Sequence, residues 1–400
     1  MQLRSLQALC LVNFFMADVR DGLGPFLGIF LTERHWNPAD IGWVMTAGGL
    51  AGLLATLPAG VATDATRHKR SLLLAGTILI TCATLMLWYF PQGWITLLSQ
   101  VITGLSAALI APILTGVTLG LTGPDKFGHQ MGKNEAFNHA GNMSAALIAG
   151  ASVWYWGIGA VFVLMTAMAL LAGMAVLAIR SAEIDDVAAR GLTIASSNSP
   201  LPRLSQIARH PAIIITALTL LLFHLGNAAL LPMLSLRVAV MHNQEISPGL
   251  YAAATVVISQ CVMIPVALFA AKHATRYGYA TLITLALLIL PLRALMASAF
   301  DSTYSMVPVQ ILDGIAAGLL GVSIPGYIVK VLQGSGHTNA GQGFIMLMQG
   351  IGASLSPALA GNIAAAYSYR ATFAVLAVIA FAALVTWWMG SRRADNYQLN

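Results

Sequence analysis

Charged residues are scarce in this sequence. Only 8% of its 400 residues are Asp, Glu, Lys or Arg, whereas 58% are hydrophobic. A soluble globular domain carries about 25% charged residues, so these side chains are too few to cover a surface that faces water. The mean hydropathy is +0.78, and long apolar runs follow one another along the chain. Lipid is therefore the solvent for most of the chain, and we predict an integral membrane protein.

The sequence also has little of the chemistry that other protein classes require. Its three cysteines lie inside apolar runs without metal-ligand spacing, so we expect neither disulfides nor a metal site. It contains no Gly-x-Ser-x-Gly or His-Glu-x-x-His motif and no phosphate-binding Gly-x-x-x-x-Gly-Lys loop. Their absence argues against an enzyme, an ATP-driven pump and a bound cofactor. A channel filter, a soluble signalling domain and a basic, aromatic surface for nucleic acid are also missing from the sequence.

Apolar runs of about 20 residues, the length that crosses a bilayer, occur twelve times. Their approximate bounds are 6–31, 41–63, 71–90, 94–120, 134–155, 158–180, 212–236, 249–271, 280–300, 303–329, 341–366 and 371–390. The longest polar interruption, 181–211, has the composition of a linker. We predict an all-α protein of about twelve transmembrane helices in two six-helix bundles, 1–180 and 212–392. A linker at 181–211 joins the bundles, and a tail follows at 393–400.

Lys and Arg are distributed unevenly between the two sets of loops. One side receives both ends of the chain and most basic residues, and the other receives only Arg34, Arg237 and Arg370. Because basic residues favour the cytoplasmic side, we predict cytoplasmic termini and a cytoplasmic linker. The first apolar run is too long for the core of a signal peptide, so we expect it to span the membrane. The expected location is a plasma membrane of the bacterial inner-membrane type.

Two short sequences recur in the two halves of the chain. Gln100-Val-Ile-Thr-Gly104 in the fourth span matches Gln310-Ile-Leu-Asp-Gly314 in the tenth. A nearly identical register aligns Gly141 with Gly352. A parallel repeat about an axis along the membrane normal is one plan of membrane transporters. The sequence therefore predicts two pseudo-symmetric halves.

The loop after the second span reads Gly60-Val-Ala-Thr-Asp64-Ala-Thr-Arg67-His-Lys69-Arg70. It resembles the signature of the major facilitator superfamily between the second and third helices: glycine, three residues, aspartate and then a basic cluster. Gly60, Asp64, Lys69 and Arg70 match that pattern, whereas Ala65 and Arg67 depart from it. In the second half, 272–278 keeps Arg276 and a following glycine but lacks the aspartate.

The resemblance covers essentially the whole chain, and it implies a monomeric secondary transporter with the twelve-helix fold of that family. Asp64, Lys69, Arg70 and Arg276 are then candidates for a gating loop, in which an ion pair forms in one state and breaks in another. Drug/proton antiporters of the family often carry arginine in the fourth helix and Gly-Pro in the fifth. Here Gln100 and Gly141-Asn142 stand at those places, which disfavours that subgroup.

The first span holds several polar side chains. Asp18 lies about 18 Å along a helix that begins near residue 6, close to the middle of the bilayer. Asp18 and Asp21 share one helix face, whereas Arg20 lies toward the face of Asn13. Charges inside a membrane are costly and usually functional. The carboxylates are therefore candidates for a proton or cation site, and Arg20 for a counter-charge or an anion site. A structural ion network is the alternative.

The fifth span carries a polar stripe that covers about 140° of the helix circumference. Its members are Asn134, Glu135, Asn138, His139 and Asn142. Lipid would penalise such a stripe, so we expect it to face the protein interior or a water-filled cavity. Glu135 and His139 can share a proton, and such a pair titrates near neutral pH. Alternatively, Glu135 is a helix-start residue that the helix dipole stabilises.

The second half has fewer polar groups at membrane depth. They are His224 and Asn227 in the seventh span, Gln310 and Asp313 in the tenth, and Gln349 in the eleventh. Asp313 replaces Thr103 of the other half, so we expect a solute or coupling-ion site to differ between halves here. His224 is equally compatible with a packed core position. We expect Arg293, which follows Pro291, to face an outer cavity or to extend toward the membrane surface.

These features predict a secondary active transporter, not an enzyme, that moves a small polar or organic solute by alternating access. The aspartates favour proton coupling or a cationic solute, whereas the Asn, Gln and His side chains favour a hydrogen-bonding solute. We expect proton-coupled efflux, with the solute, protons and the lipid bilayer as partners. Proton-coupled uptake is the alternative.

Overall fold

The computed structural model describes residues 2–20, 23–186, 188–190, 210–240, 247–331 and 338–397, which form helices and no strand. In the first half, the helices are α1 Gln2–Arg20, α2 Pro25–Thr32, α3 Pro38–Ala65, α4 Lys69–Tyr89, α5 Gly93–Trp156 and α6 Gly159–Ala178. Short 3₁₀ turns follow at Ser181–Glu183 and Ala188–Arg190. The rest of the predicted linker, apart from 184–186 and residue 210, lies outside the described residues.

In the second half, the helices are α7 Pro211–Asn227, α8 Leu230–Val240, α9 Pro248–Tyr277, α10 Tyr279–Ala299, α11 Met306–Val331, α12 Thr338–Ala366 and α13 Tyr369–Tyr397. A 3₁₀ turn at Thr303–Ser305 precedes α11. The predicted all-α fold is confirmed for the described residues. Most predicted spans also agree with a helix to within a few residues, because their apolar runs end at polar loops.

The first predicted span, 6–31, is not one continuous helix. The structure has α1, which ends at Arg20, and a separate α2 that begins at Pro25. Gly24 has a positive φ of 48°, a conformation that favours glycine, and Pro25 has no amide hydrogen to continue the helix. Asp18 and Arg20 therefore lie in the last turn of α1, beside an interruption of the helix.

The fourth and fifth predicted spans, 94–120 and 134–155, both lie within α5, Gly93–Trp156, which is interrupted at Gly123. There φ is 64° and ψ is 174°, values outside the helical range, and Pro124 follows. The two predicted spans are thus two helices that meet at Gly123, and the second helix begins well before its apolar run.

The seventh predicted span, 212–236, is likewise divided, into α7 and α8, with a break after Asn227. By length and composition, ten helical segments among the described residues are able to cross a membrane. The first span and the second part of α5 are not among these ten, because both carry the polar residues described above. The structure thus has the predicted twelve segments, two of which are unusually polar.

The chain divides into two compact units. Unit 1 comprises Met1–Phe30 with Ala47–Pro200, and unit 2 comprises Leu31–Thr46 with Leu201–Asn400. The start of α3 therefore belongs to unit 2, a division that the sequence did not predict. In unit 2, the backbone N–H of Ala358 donates to Thr46 Oγ1 at 2.9 Å, and a Cβ on Gly42 would lie 2.2 Å from the Pro357 carbonyl oxygen.

Glycines hold helices together at equivalent places in the two units. A Cβ on Gly141 would lie 2.0 Å from the carbonyl oxygen of Phe14, and one on Gly352 would lie 2.2 Å from that of Leu221. The helices α1 and α7 therefore each pack directly on the glycine that the repeat predicts. Gly104 packs in the same way on the Gly48 carbonyl, and Gly314 on the Ser259 carbonyl. Small residues permit such close approach between membrane helices.

Large apolar side chains cover the outside of both units. Leu170 and Leu177 on α6 are 67% and 62% exposed, as expected of side chains that face lipid. At the end of unit 1 where α4 and α5 end, Tyr89, Tyr155 and Trp156 are each at least 69% exposed. Exposed Tyr and Trp gather at membrane–water interfaces, so these residues mark one edge of the membrane-embedded region.

We expect Gly352→Ala to lower the melting temperature of the purified protein in detergent. Its new methyl group would overlap the Leu221 carbonyl of α7, and overpacking of this kind costs roughly 1–3 kcal/mol. Gly343→Ala on the same helix is the control, because a Cβ there has nothing within 4 Å. Equal melting temperatures of the two variants would contradict the close contact between α7 and α12.

Candidate functional site

A buried ion pair lies in the core of unit 2. The Nη1 atom of Arg293 on α10 is 2.7 Å from Oδ1 of Asp313 on α11. The same nitrogen donates a hydrogen bond to Oδ1 of Asn227 on α7. From α9, the hydroxyl of Ser259 donates to Oδ2 of Asp313 at 2.6 Å. Side chains from four helices therefore meet at one ion pair.

Helix packing explains why these side chains meet. The helices α9 and α11 pack closely because a Cβ on Gly314 would lie 2.5 Å from the Ser259 carbonyl oxygen, and one on Gly318 would lie 2.7 Å from that of Met263. Asp313 directly precedes Gly314, so the close approach places its carboxylate beside Ser259. The helix α10 packs against α11 and supplies the cation.

Arg293 is the most buried charge of this cluster. Its side chain is 1% exposed, whereas that of Asp313 is 18% exposed. The expectation that Arg293 extends toward the membrane surface is therefore wrong, because the carboxylate of Asp313 pairs with it where it lies. An unpaired buried charge is strongly destabilising, so Asp313 and Arg293 depend on each other.

A cavity of about 400 Å³ opens beside the ion pair, within unit 2. Asp313 forms part of its wall, together with polar side chains from α7 and α12 and apolar side chains between them. The polar residues are His224, Asn227, Gln342 and Gln349, and the apolar ones include Phe223, Ile345 and Met346. The structure therefore brings together His224, Asn227, Asp313 and Gln349, all of which the sequence singled out.

Gln310 does not line this cavity. Its side chain is completely buried, and neither its amide nitrogen nor its amide oxygen has a hydrogen-bond partner among the residues that the structure describes. It lies one turn before Gly314 on α11, on the face that packs against α9.

Unit 1 contains a smaller polar cavity of about 70 Å³. Five residues that the sequence indicated line it, namely Asn13, Arg20, Asn134, Glu135 and Asn138. Asn134 is fixed by two hydrogen bonds: its amide nitrogen donates to Thr118 Oγ1 at 2.9 Å, and its oxygen accepts from Gln130 Nε2 at 3.0 Å. The cavity is too small for an organic solute and has room for a few water molecules.

The other residues indicated in unit 1 are placed differently. Asp18, His139 and Asn142 are half-buried and do not line that cavity, and Glu135, which does, is largely exposed. The polar stripe of α5 thus spans both a buried and an exposed face. Asp21 lies outside the described residues.

The basic residues of the candidate gating loop have well-defined partners. Arg70 donates hydrogen bonds to the carbonyl oxygens of Val176 and Leu177, at 3.2 and 2.8 Å, and it also donates to the Ser181 hydroxyl. A cation at these carbonyls stabilises the C-terminal end of α6. Lys69 is 1% exposed, and its Nζ donates to the Thr66 carbonyl at 2.9 Å.

The remaining residues of that prediction are less defined. Gly60 and Asp64 lie in α3, and the side chain of Asp64 is outside the part of the chain that the structure describes. Arg276 is exposed, with its guanidinium 5.6 Å from the ring centroid of Tyr277. The gating role of these residues stays a prediction.

Comparison with known proteins identifies the family. The profile of the Major Facilitator Superfamily matches residues 9–307. An uncharacterized MFS-type transporter of Mycobacterium tuberculosis strain H37Rv, Rv2456c, is 38% identical over 380 residues, which cover 94% of this chain and 90% of the relative. The chain belongs to the major facilitator superfamily. It is therefore a multi-pass membrane transporter and not an enzyme, as the sequence predicted.

Solved structures of this superfamily share the fold. A point mutant of the nucleoside transporter NupG superposes with a TM-score of 0.80 at 16% identity, covering 96% of this chain and 99% of NupG. A bacterial homolog of the human lysosomal transporter Spinster superposes with a TM-score of 0.76 at 14% identity, covering 98% and 97% of the two chains. At these identities the likeness establishes the major facilitator fold and leaves the solute open.

Sequence reasoning missed Ser259 and Gln342, and it did not pair Arg293 with Asp313. Arg293 carried a signal, since it is a charge inside an apolar run. Pairing it with Asp313 required knowing that α10 and α11 pack together. Ser259 carried no such signal, because serine is common inside membrane helices. The repeat could have found it: Gly104 and Gly314 correspond, and they pack on Gly48 and Ser259.

We expect a double-mutant cycle to show strong coupling between Arg293 and Asp313. Asp313→Asn leaves the guanidinium without its anion and should lower the free energy of unfolding by about 3 kcal/mol or more. Arg293→Met should cost less, because a carboxyl group facing a cavity can take up a proton. The double variant, measured by thermal unfolding in detergent, should be more stable than Asp313→Asn alone. Additive losses would contradict the pairing.

Proposed function

We propose that this transporter couples the export of a small polar organic solute to the inward movement of protons, by alternating access across the plasma membrane. The observation that carries this proposal is the double role of Asp313, which lies both in a buried ion pair and in the wall of the cavity. A proton taken up at this carboxylate changes the ion pair and the cavity together.

Protonation of Asp313 removes the negative charge that holds Arg293. The guanidinium then retains Asn227, which also lines the cavity. Since Arg293 belongs to α10 and Asn227 to α7, the proton changes a contact that joins separate helices. A ligand shifts a conformational equilibrium only through a difference in its interactions with the two states, and this carboxylate supplies such a difference.

The cavity supports a solute that is small and partly polar. Its volume of about 400 Å³ lies in the range of small-molecule sites, roughly 300–1,000 Å³. Amide groups of Asn227, Gln342 and Gln349 both donate and accept hydrogen bonds, while Phe223 and Met346 provide apolar contact. If the solute binds ionised Asp313, it competes with the proton, which is the requirement for antiport.

Uptake by symport is the second candidate, and the buried guanidinium of Arg293 next to the cavity-lining Asp313 supports it. Arg293 is anchored by Asp313, so a proton on that carboxylate frees donor capacity of the guanidinium beside the cavity. An anionic or strongly accepting solute would then bind together with the proton. In antiport the solute binds when Asp313 is ionised, and in symport it binds when Asp313 is protonated. The effect of pH on solute binding therefore distinguishes the two mechanisms.

The remaining parts of the proposal rest on the sequence. Asn13, Asp18, Arg20 and the polar residues of α5 form the contribution of unit 1 to solute or proton binding. Asp64 with the adjacent cations acts in gating, both termini are cytoplasmic, and the protein acts as a monomer.

We expect Asp313→Asn to abolish solute transport driven by a pH gradient, because the asparagine cannot take up a proton. Solute counterflow should persist at high solute concentration, since the rest of the cavity is unchanged, but with a raised half-saturation concentration, since the asparagine lacks the charge that binds the solute. The experiment uses proteoliposomes and a panel of radiolabelled organic solutes, with Asp40→Asn, an exposed residue at the start of α3, as the control. Retention of pH-driven transport by Asp313→Asn would refute coupling at this residue.

We expect solute affinity to be higher at neutral than at acid pH, since antiport requires the ionised carboxylate of Asp313. Binding should then release protons into a weakly buffered solution, and Asp313→Asn should lose both effects. Proton uptake on binding would instead establish symport, because linkage between proton and solute is reciprocal.

A further inference from the structure

Unit 2 contains a line of buried polar side chains that leads away from the cavity, along the interface between α9 and α11. Tyr251, Thr255 and Ser259 follow one another at four-residue spacing on α9, so they lie along one face. Tyr251 and Thr255 are completely buried, and Ser259 is 8% exposed. Gln310 on α11 lies one turn before Gly314, which packs on the Ser259 carbonyl. We call these four residues the polar column.

The polar column reaches the end of unit 2 at which α9 and α11 begin. Tyr251 lies close enough to Arg237 of α8 for an electrostatic interaction. Arg237 Nη1 is 3.7 Å from Oδ1 of Asp301, which is 59% exposed. Asp301 precedes Asp313 by only twelve residues, and the helical part of that path from Met306 is about 10 Å long. Asp301 is therefore separated from Asp313 along the chain by the short 302–305 segment and about two turns of α11.

Several polar atoms in and beside the polar column lack a protein partner. Among the described residues, neither amide atom of Gln310 has a hydrogen-bond partner, and the same holds for Nε of Arg237 and of Arg293. The Tyr251 hydroxyl, by contrast, lies close enough to Arg237 for a side-chain hydrogen bond. Buried polar atoms without partners carry a desolvation cost, and ordered water normally satisfies them. Gln310 lies on α11 between the Asp301 end and Asp313.

We propose that the polar column is a proton route of unit 2, which carries protons between the Asp301 end and Asp313 without passing through the solute cavity. This inference rests on the proposed function, because it assumes that Asp313 takes up the coupling proton. Water between Tyr251 and Gln310 delivers the proton to the Ser259 hydroxyl. Ser259 accepts that proton on its oxygen and passes its own hydrogen to Oδ2 of Asp313, along the existing 2.6 Å hydrogen bond.

The proton balance of this step is simple. One water-borne proton is consumed, the Ser259 hydroxyl is regenerated, and the carboxylate becomes a neutral carboxyl group. The titratable or charged groups near it are Arg293 on α10, His224 on α7, Arg237 on α8, Tyr251 on α9 and the exposed Asp301. Asp301 marks the solvent end of the route, where its Oδ2 also lies 3.5 Å from Nη2 of Arg370.

A structural reading of Gln310 makes a different prediction. If Gln310 is merely a poorly satisfied core residue, Gln310→Met should leave proton transfer unchanged and be neutral or stabilising, because it removes an unpaired polar group of similar size. If Gln310 orders the water of a proton route, the same substitution should slow protonation of Asp313. The two readings therefore differ in a rate and not in stability.

The test follows the infrared carboxyl band of the full-length protein in nanodiscs after a rapid pH jump, with no solute present. The band that Asp313→Asn removes reports protonation of Asp313. We expect Gln310→Met and Tyr251→Phe each to slow the rise of this band by about tenfold or more. A slowing of this size is on the order of the effect of losing one hydrogen-bonding partner in the route. The final amplitude should stay unchanged.

Thr219→Val is the matched control. Thr219 is completely buried and its hydroxyl has no hydrogen-bond partner among the described residues, but it lies on α7, which packs chiefly on α12 and α13. The carboxyl band of the Thr219→Val variant should rise at the wild-type rate. Tyr251→Phe removes a single oxygen and keeps the inference testable if Gln310→Met does not fold.

The outcomes separate the two proposals. Wild-type rates in both Gln310→Met and Tyr251→Phe would overturn the proton route while leaving Asp313 as the coupling residue. Equal slowing in Thr219→Val would also overturn it, since the effect would then be general. If the wild type has no carboxyl band that titrates and depends on Asp313, the proposed function itself fails.

Discussion

A buried guanidinium inside a membrane protein requires an anion, and in this transporter that constraint organises unit 2. Arg293 is almost completely buried, and Asp313 is the carboxylate that pairs with it. Because burial removes each charge from water, either charge alone would destabilise the fold. The two charges are tolerated only while they remain paired. Asp313 is also the one member of the pair that reaches the cavity wall. A proton or a solute that acts on this carboxylate therefore acts on the contacts of α7, α9, α10 and α11 together.

The two halves of the chain share a packing scheme and differ in what they place upon it. Gly104 and Gly314 bring equivalent helices into contact, as do Gly141 and Gly352. At the contact made by Gly314, unit 2 has the charge of Asp313 and the hydroxyl of Ser259. The equivalent positions of unit 1 are Thr103 and Gly48. Unit 1 instead concentrates its polar groups on α1 and α5, around a cavity with room only for water. A common scaffold with unlike polar contents allows the two halves to contribute differently to solute and proton binding.

The amino-acid sequence predicted most of the fold, because hydropathy and the scarcity of charge leave few alternatives to a helical bundle in lipid. It failed where local backbone chemistry overrides hydropathy, at Gly24, whose positive φ angle lies at a helix break that no apolar run reveals. The site was partly predictable: a lone carboxylate in an apolar run identified Asp313, and the polar residues of α7 identified His224 and Asn227. The partners of Asp313 depend on which helices pack together, so Ser259 was missed and Arg293 was placed wrongly.

The central claim is that protonation of Asp313 opens its contact with Arg293. The most direct test is the separation of Arg293 Nη1 and the Asp313 carboxylate in structures of the wild-type protein determined at neutral and at acid pH, without solute. We predict that the contact of 2.7 Å persists at neutral pH and is broken at acid pH, with Arg293 still bonded to Asn227. An unchanged contact at both values, in protein whose Asp313 has been shown to be protonated, would contradict the claim.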